Sequence, residues 1–98
     1  MQINVTTRHG NLSEASKQKI TEKVEKLEKF IERLTRIDVV VDLEKADAPS
    51  VDLMALTEHK KEFKATYSSG ELYGCVDQVL DKIQQQMKKF KEKMTDHH

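Results

Sequence analysis

The side chains that most often carry catalysis or bind metal are scattered through this chain of 98 residues. None of the four histidines, His9, His59, His97 and His98, stands at a recognisable spacing from a nucleophile or from metal ligands. The sequence contains no glycine-rich phosphate loop and no HExxH pattern. The single cysteine, Cys75, adjoins an apolar stripe and is predicted to be a small buried thiol. The sequence therefore predicts no enzyme, no metal site and no cofactor.

The polar residues that do form a pattern are basic residues on two predicted helices. On a wheel of about 100° per residue they fall along one edge of each helix. Helix-borne amines without interleaved aromatic side chains suit recognition of a folded phosphate backbone by shape and charge. A solvated helix face produces the same pattern, so these residues alone leave the partner open. The edges consist of Lys19, Lys23, Lys26 and Arg33 on the first helix and Lys82, Lys89 and Lys93 on the last, with Lys88 and Lys91 nearby and Gln85 and Gln86 between them.

The composition indicates one globular domain with a dense charged surface. Hydrophobic residues make up 37% and charged residues 35% of the chain. No apolar run approaches the roughly 20 residues of a membrane span, the N-terminus has no signal-peptide pattern, and one cysteine cannot form an internal disulfide. We therefore expect a cytoplasmic protein without membrane association. The 17 basic and 17 acidic side chains give a net charge of zero, so nucleic-acid binding would depend on how the charges are distributed.

Two long amphipathic helices are predicted. The first runs from about Glu14 to Leu34, with Ser13 as its N-cap, because apolar residues recur there at steps of four and three. The last runs from Glu71 to about Met94 on the same grounds. Each helix would close a core with its apolar stripe. The stripes consist of Ile20, Val24, Leu27, Ile31 and Leu34 on the first helix and Leu72, Val76, Val79, Ile83, Met87, Phe90 and Met94 on the last.

Alternating apolar residues predict four strands, and the connections predict how the strands pair. The long helix between the first two strands predicts a parallel pair, and short links predict an antiparallel meander for the rest. The predicted fold class is α+β in the order β-α-β-β-β-α, a four-stranded mixed sheet with both helices packed on one face. We expect a single domain over residues 1–94, a frayed tail over 95–98 and a long hairpin loop around His59. The strands lie at about 2–8, 36–45, 51–57 and 63–67.

The aromatic residues predict packing rather than base stacking. Phe90 lies on the apolar stripe of the last helix and is predicted to be buried. Tyr73 lies on the flank of the first turn of that helix, where its ring would pack and its hydroxyl would stay at the rim. The few aromatic residues are not interleaved with basic residues on a strand, which disfavours the stacking of RNP motifs.

Segments spread over nearly the whole chain resemble a known family in order and spacing. The chain resembles the short bacterial ribosome hibernation-promoting factors and the related ribosome-associated inhibitor, once called sigma-54 modulation proteins. The fold of this family, similar to a double-stranded-RNA-binding domain, has the same β-α-β-β-β-α order. The resemblance rests on MQINVT at the start, the segment with Lys23, Lys26-Leu27-Glu28 and Arg33, VVVDLEK at 39–45, Leu72-Tyr73 with Val76-Asp77, Asp81-Lys82-Ile83, and the ending with Lys89, Lys91 and Lys93.

The resemblance implies a stress or stationary-phase factor that binds the small ribosomal subunit. In the family, the domain lies between head and body of the subunit over the A and P sites, contacts 16S rRNA and excludes tRNA, mRNA and initiation factors. Short members promote or stabilise inactive ribosome dimers together with a small modulation factor, whereas the inhibitor branch keeps single ribosomes inactive. We expect the short type, a monomer when free, because the chain has neither a C-terminal dimerisation domain nor an extended tail.

The resemblance also implies which residues bind rRNA, and one position departs from the family pattern. Where relatives often carry arginine, this chain has Gln85, which can hydrogen-bond phosphate or ribose but lacks the charge. We therefore expect lower affinity or a salt dependence shallower by about one unit. The implied rRNA-binding residues are Lys23, Lys26, Arg33, Lys82, Gln85, Lys89, Lys91 and Lys93.

Two other classes of function are compatible with the residues. A protein-interaction module would pair through an exposed sheet edge or through the acidic sheet face, and its binding would be insensitive to nuclease. A small enzyme would use the carboxylates of that face, although a solvated strand surface explains them better. The carboxylates are Asp38, Asp42, Glu44, Asp52 and Glu62.

Overall fold

The computed structural model describes residues 1–30, 33–58 and 60–95, with side chains up to residue 91. A strand and a helix are followed by three strands and a second helix, which is the predicted order. A short 3₁₀ helix extends the first helix by one turn. The elements are β1 Gln2–Arg8, α1 Glu14–Glu25, the 3₁₀ helix Lys26–Lys29, β2 Leu34–Asp42, β3 Ser50–Thr57, β4 Glu62–Ser68 and α2 Leu72–Thr95.

The four strands form one mixed sheet in the order β1-β2-β3-β4. β1 pairs parallel with β2, whereas β2, β3 and β4 pair antiparallel, as the lengths of the connections predict. The register places Val39 opposite Leu53 and Ile37 opposite Ala55, and all four side chains are buried. Because side chains alternate along a strand, this register gathers the apolar residues on one face of the sheet. The predicted fold class is confirmed.

Both helices cover the apolar face of the sheet. α1 buries Ile20 and Val24 completely, and the 3₁₀ helix adds Leu27. α2 lies over β3 and β4 and turns its predicted stripe toward them. Among the described residues, no helix has both the length and the apolar content needed to cross a bilayer. The buried residues of α2 are Cys75, Val76, Val79, Leu80, Ile83 and Met87.

The opposite face of the sheet is polar, and its side chains pair across the strands. Asn4 donates a hydrogen bond to Asp38 at 2.8 Å, and Thr66 donates one to Asp52 at 2.7 Å. Within β2, Arg36 also forms an ion pair with Asp38 at 3.0 Å. Cross-strand pairs of this kind stabilise a sheet surface that faces water. They give Asp38 and Asp52 a structural role.

The first helix is shorter than its apolar stripe predicts. α1 ends at Glu25 rather than at Leu34, because the chain tightens into the 3₁₀ helix and then turns at Arg33, whose φ is 63°. Leu34 already belongs to β2 and pairs with Thr57 of β3. If the helix continued to Leu34, this residue would lose its backbone pairing with β3. Leu34 therefore adopts the strand conformation. The stripe position Ile31 lies outside the described residues.

Side-chain caps determine where the two α-helices begin. Ser13 accepts a hydrogen bond from the Ser16 amide at 3.1 Å, and it is the predicted N-cap of α1. At α2 the Glu71 carboxylate accepts hydrogen bonds from the amides of Tyr73 and Gly74. A Cβ atom at Gly74 would lie 2.8 Å from an oxygen of that carboxylate. Glycine at this position therefore leaves room for the cap.

Truncation of Ile83 tests how far the fold depends on α2. Ile83 is fully buried in the middle of the stripe, so Ile83→Ala leaves a cavity and should lower the free energy of unfolding by about 2–5 kcal/mol. Gln78→Ala, on the exposed side of the same helix, should change it by no more than about 0.5 kcal/mol. Urea unfolding followed by circular dichroism measures both values. Equal losses would contradict this packing.

Candidate nucleic-acid interface

Basic residues from several elements converge at one end of the molecule. α2 runs back along β4, so its last turns lie beside the 3₁₀ helix, the start of β2 and the β3–β4 loop. Among the described side chains of this surface, basic groups outnumber acidic ones, although the whole chain has zero net charge. We call it the basic end. It comprises Lys26, Lys29, Arg33, Lys60, Lys61, Lys88, Lys89 and Lys91, with Glu28, Glu58, Glu62 and Asp81 as its acids.

Two lysines of α1 hold this helix against α2. Lys23 donates to the Asp77 carboxylate at 2.8 Å, and its side chain is only 22% exposed. Lys19 places its ammonium 4.2 Å from the centroid of the Tyr73 ring, which is a cation–π distance. The Tyr73 hydroxyl donates to Ser16 at 3.1 Å, so the predicted packing of this tyrosine is confirmed. Lys19 and Lys23 therefore have structural partners within the fold.

An interhelix groove continues from these contacts toward the basic end. Lys26 is exposed at the groove, near Asp81 of α2. Gln85 donates to the Asp81 carboxylate at 2.8 Å, so its amide is tied to its own helix. Lys91 donates to the backbone carbonyl of Phe30 at 2.9 Å and joins the end of α2 to the 3₁₀ helix. The structure thus brings Lys26, Gln85 and Lys91 to one side of α2.

The opposite flank of α2 lies over β4. Lys82 donates to the Thr66 carbonyl at 3.1 Å, and Gln86 donates to the Lys64 carbonyl at 2.7 Å. β4 is the last strand in the sheet, so these bonds engage backbone carbonyls of an edge strand. The Lys82 ammonium also lies 5.1 Å from the centroid of the Tyr67 ring. Lys82 is therefore part of the packing between helix and sheet.

The remaining predicted residues occupy different elements of the basic end. Arg33, expected on the first helix, lies in the turn before β2, where its guanidinium is 3.9 Å from the Glu58 carboxylate. Lys89 is exposed beside Phe90 on the β4 flank of α2. The side chain of Lys93 lies outside the described residues. The predicted set therefore surrounds the basic end from two sides of α2 and does not form one continuous edge.

Two phenylalanines are exposed at the basic end, and the prediction that Phe90 is buried is wrong. Phe90 is 36% exposed, and its ring meets Phe63 edge to face at a centroid distance of 5.8 Å. β4 begins at Glu62, so the sheet offers Phe90 no strand residue to pack against beyond Phe63. Phe30 is 46% exposed. Sequence reasoning missed Phe30, although its position one residue off the predicted stripe was an available signal.

A separate polar cluster lies at the other end of the sheet. Asp42 accepts hydrogen bonds from the His9 ring and from the Glu44 amide, both at 2.9 Å. The Glu44 amide and then the His9 ring lower the pKa of Asp42, and the Asp42 carboxylate raises the pKa of His9. Candidate metal-ligand atoms of the three side chains lie within 4.8 Å of one another. The Asp42 oxygen already accepts both hydrogen bonds, so the cluster secures the turns after β1 and β2.

Comparison with solved structures identifies the class of fold. A ribosomal subunit interface protein from Coxiella burnetii has a TM-score of 0.82 at 20% identity, covering 94% of this chain and 99% of that one. The N-terminal domain of Protein Y from Thermus thermophilus has a TM-score of 0.78 at 17% identity, covering 92% and 99%. At these identities the likeness establishes the fold alone. The chain is thus a small α+β domain with the architecture of these two proteins.

The sequence identifies the family. A family model described as "Sigma 54 modulation protein / S30EA ribosomal protein" matches residues 3–95. The ribosome hibernation promoting factor of Escherichia coli (strain K12) is 30% identical over 97 residues, covering 99% of this chain and 100% of the relative. That of Pseudomonas putida is 25% identical over 101 residues, covering 95% and 89%. The chain therefore belongs to the Sigma 54 modulation protein / S30EA ribosomal protein family, and the resemblance seen in its motifs is confirmed.

A stability comparison between two lysines of α2 tests their different surroundings. Lys82→Ala removes the bond to the Thr66 carbonyl and should lower the free energy of unfolding by about 0.5–1.5 kcal/mol. Lys89→Ala, at an exposed position of the same helix, should change it by no more than about 0.5 kcal/mol. Chemical unfolding of both variants measures the difference. Identical free energies would show that the Lys82 bond does not contribute to stability.

Replacing Asp42 with asparagine tests the coupling to His9. Protonated His9 gains a partner in Asp42, so its pKa in the folded protein lies above 6.5, its ordinary value. The stabilisation from His9 is complete below that ordinary value and is lost as pH rises through the raised pKa, whereas the contribution of Asp42 is lost as pH falls through its lowered pKa. In Asp42→Asn the His9 pKa should fall toward 6.5 in an NMR titration of the ring. An unchanged value would contradict the pairing.

Proposed function

We propose that this protein is a ribosome hibernation factor that binds the small ribosomal subunit and silences translation under stress or in stationary phase. The observation that carries this proposal is family membership over residues 3–95, together with a basic end on a chain of zero net charge. The relatives in Escherichia coli and Pseudomonas putida are named ribosome hibernation promoting factors, which supports the same role here.

The partner within the subunit is proposed to be 16S rRNA. Clustered amines bind backbone phosphates strongly because the bound counterions of the RNA are released. The basic residues reach this surface from a 3₁₀ helix, a turn, a loop and α2, so they suit the curved backbone of a folded RNA. In this proposal the exposed side chains of Lys26, Arg33 and Lys89 contact phosphates directly.

The other residues of the predicted set have structural bonds in addition to their charge. Lys23, Lys82 and Lys91 fix α1, β4 and the 3₁₀ helix relative to α2, so they hold the interface in shape and also raise its positive potential. Gln85 contributes an uncharged amide, whose oxygen accepts a hydrogen bond from a ribose hydroxyl. Lys93 belongs to the proposed set on the strength of the family pattern.

The proposed mechanism is steric and requires no cofactor or covalent step. A domain bound between head and body of the subunit, over the A and P sites, occupies the space of tRNA and mRNA. We propose that the silenced ribosomes are stored as dimers with the help of a small modulation factor, and the alternative outcome is inactive single ribosomes. Both outcomes place the protein in the cytoplasm, as a monomer when it is free. Sucrose-gradient fractionation of stationary-phase lysate distinguishes the two by the ribosomal species that contains the protein.

Charge reversal at the basic end tests the proposed interface. Lys26→Glu combined with Lys89→Glu should weaken co-sedimentation with purified small subunits at least about tenfold, and each lost phosphate contact should reduce the salt slope by about one unit. Lys17→Glu combined with Lys45→Glu makes the same change in charge at the other end of the molecule and should bind like the wild type. Binding is measured as salt rises from about 50 to 200 mM.

Two results would refute parts of this proposal. Wild-type protein that stays at the top of the gradient even at about 50 mM salt would refute ribosome binding. Undiminished binding by the Lys26→Glu, Lys89→Glu variant would remove the basic end from the mechanism.

A further inference from the structure

A groove with an aromatic wall lies within the basic end. It is open to solvent, has a volume of about 540 Å³, and runs between Phe30 and the C-terminal half of α2. Met87 also lines the groove, although its side chain is only 2% exposed. The polar rim of the groove is formed by Gln84, Gln85, Lys88 and Lys91, together with Asp81, whose carboxylate accepts a hydrogen bond from Gln85.

The backbone of Phe30 is held in place from both sides. The Phe30 amide donates to the carbonyl of Leu27 at 3.0 Å, and Leu27 is fully buried in the core. The Phe30 carbonyl accepts the hydrogen bond from Lys91 at 2.9 Å. The Phe30 side chain is 46% exposed. The fold therefore presents an aromatic ring to solvent on a backbone that is hydrogen-bonded on both sides.

The groove combines the three chemistries that bind an unpaired nucleotide. An exposed aromatic ring stacks on a base of any sequence, and neighbouring amines bind its phosphate. The Gln84 amide offers a donor and an acceptor to a base edge or a ribose hydroxyl, and the Gln85 amide, whose nitrogen donates to Asp81, offers its oxygen. Lys88 is exposed on the rim and supplies a positive charge beside the apolar wall.

Charge complementarity favours RNA over an apolar peptide as the occupant. A peptide helix in this groove would bury the amides and the ammonium groups of the rim, and burial of unpaired polar groups is unfavourable. A nucleotide places its phosphate against those same groups while its base covers the ring. The basic residues around the groove add attraction for the rest of an RNA strand.

We propose that the exposed ring of Phe30 forms a stacking platform for one unpaired RNA nucleotide, whose phosphate is bound by Lys88. The platform deepens the proposed function and rests on it, because it is part of the same RNA interface. It adds recognition of single-stranded RNA to the contacts with folded backbone phosphates.

Substitutions of Phe30 test the platform with defined RNA probes. The probes are a single-stranded RNA of about ten nucleotides containing 2-aminopurine and a fully paired duplex of about 16 base pairs. Phe30→Ala should weaken binding of the single strand about tenfold and leave binding of the duplex unchanged, since the charge is the same. Phe30→Leu keeps the apolar volume but should bind as weakly as Phe30→Ala. Phe30→Trp should restore affinity, with quenched tryptophan fluorescence on binding.

The controls separate this inference from the proposed function. Circular dichroism and urea unfolding establish that each variant is folded, and small-subunit sedimentation is measured in parallel. Wild-type affinity of Phe30→Ala for the single strand would overturn the platform even if the wild type sediments with subunits. If Phe30→Ala no longer sediments with small subunits but still binds the single-stranded probe like the wild type, the ring contacts a ribosomal protein instead of RNA. That result would also overturn the platform. Loss of single-strand binding by Phe30→Ala supports the platform even if the wild type fails to sediment, a result that refutes only the ribosomal role.

Discussion

Burial of α2 against β3 and β4 is the interaction on which the rest of the structure depends. A sheet with one apolar face is stable only when that face is covered. The stripe of α2 supplies much of the cover, and α1 is fixed beside it through Lys23 and Tyr73. The same packing sets the direction of α2, which carries its C-terminal lysines back to the start of β4. The position of the basic end is thus a consequence of how the core is closed.

The topology also explains how a chain without net charge presents a charged surface. Lysines that are far apart in sequence, such as Lys26 and Lys89, reach the same end of the molecule because alternate connections return to the same end of the sheet. Acidic residues on the sheet face are paired across strands, as in Asp38 with Asn4 and Asp52 with Thr66. Attraction of an anionic polymer depends on local potential rather than on net charge. A pI near 7 is therefore compatible with an RNA interface.

Most of the fold was predictable because alternation and helical periodicity report burial directly. The strands, their pairing and the stripe of α2 follow from those two patterns. The periodic stripe continues to Leu34 and therefore predicts Arg33 on a helix, although Leu34 is the first residue of β2. Phe90 was expected in the core because a wheel gives the direction of a side chain and does not show where the sheet ends.

For a related reason, the sequence does not show which lysines contact other parts of the fold and which face solvent. A helical wheel places Lys82 and Lys91 at different angles but does not say which element each angle meets. Their partners are backbone carbonyls of Thr66 and Phe30, which only the tertiary arrangement brings near. The resemblance to relatives implies that these lysines belong to one rRNA-binding set and does not distinguish between them. The structure separates those that hold the fold together from those that face solvent.

The bonds from Lys82 and Gln86 to β4 have a consequence for self-association. An uncovered edge strand is a template on which a second chain can add a strand, and such additions lead to domain swapping or aggregates. In β4 the carbonyls of Thr66 and Lys64 are already engaged by α2, and a positive charge stands beside them. An incoming strand would have to displace both side chains and bring its own backbone close to that charge. The flank of α2 therefore protects this edge of the sheet from growth by further strands.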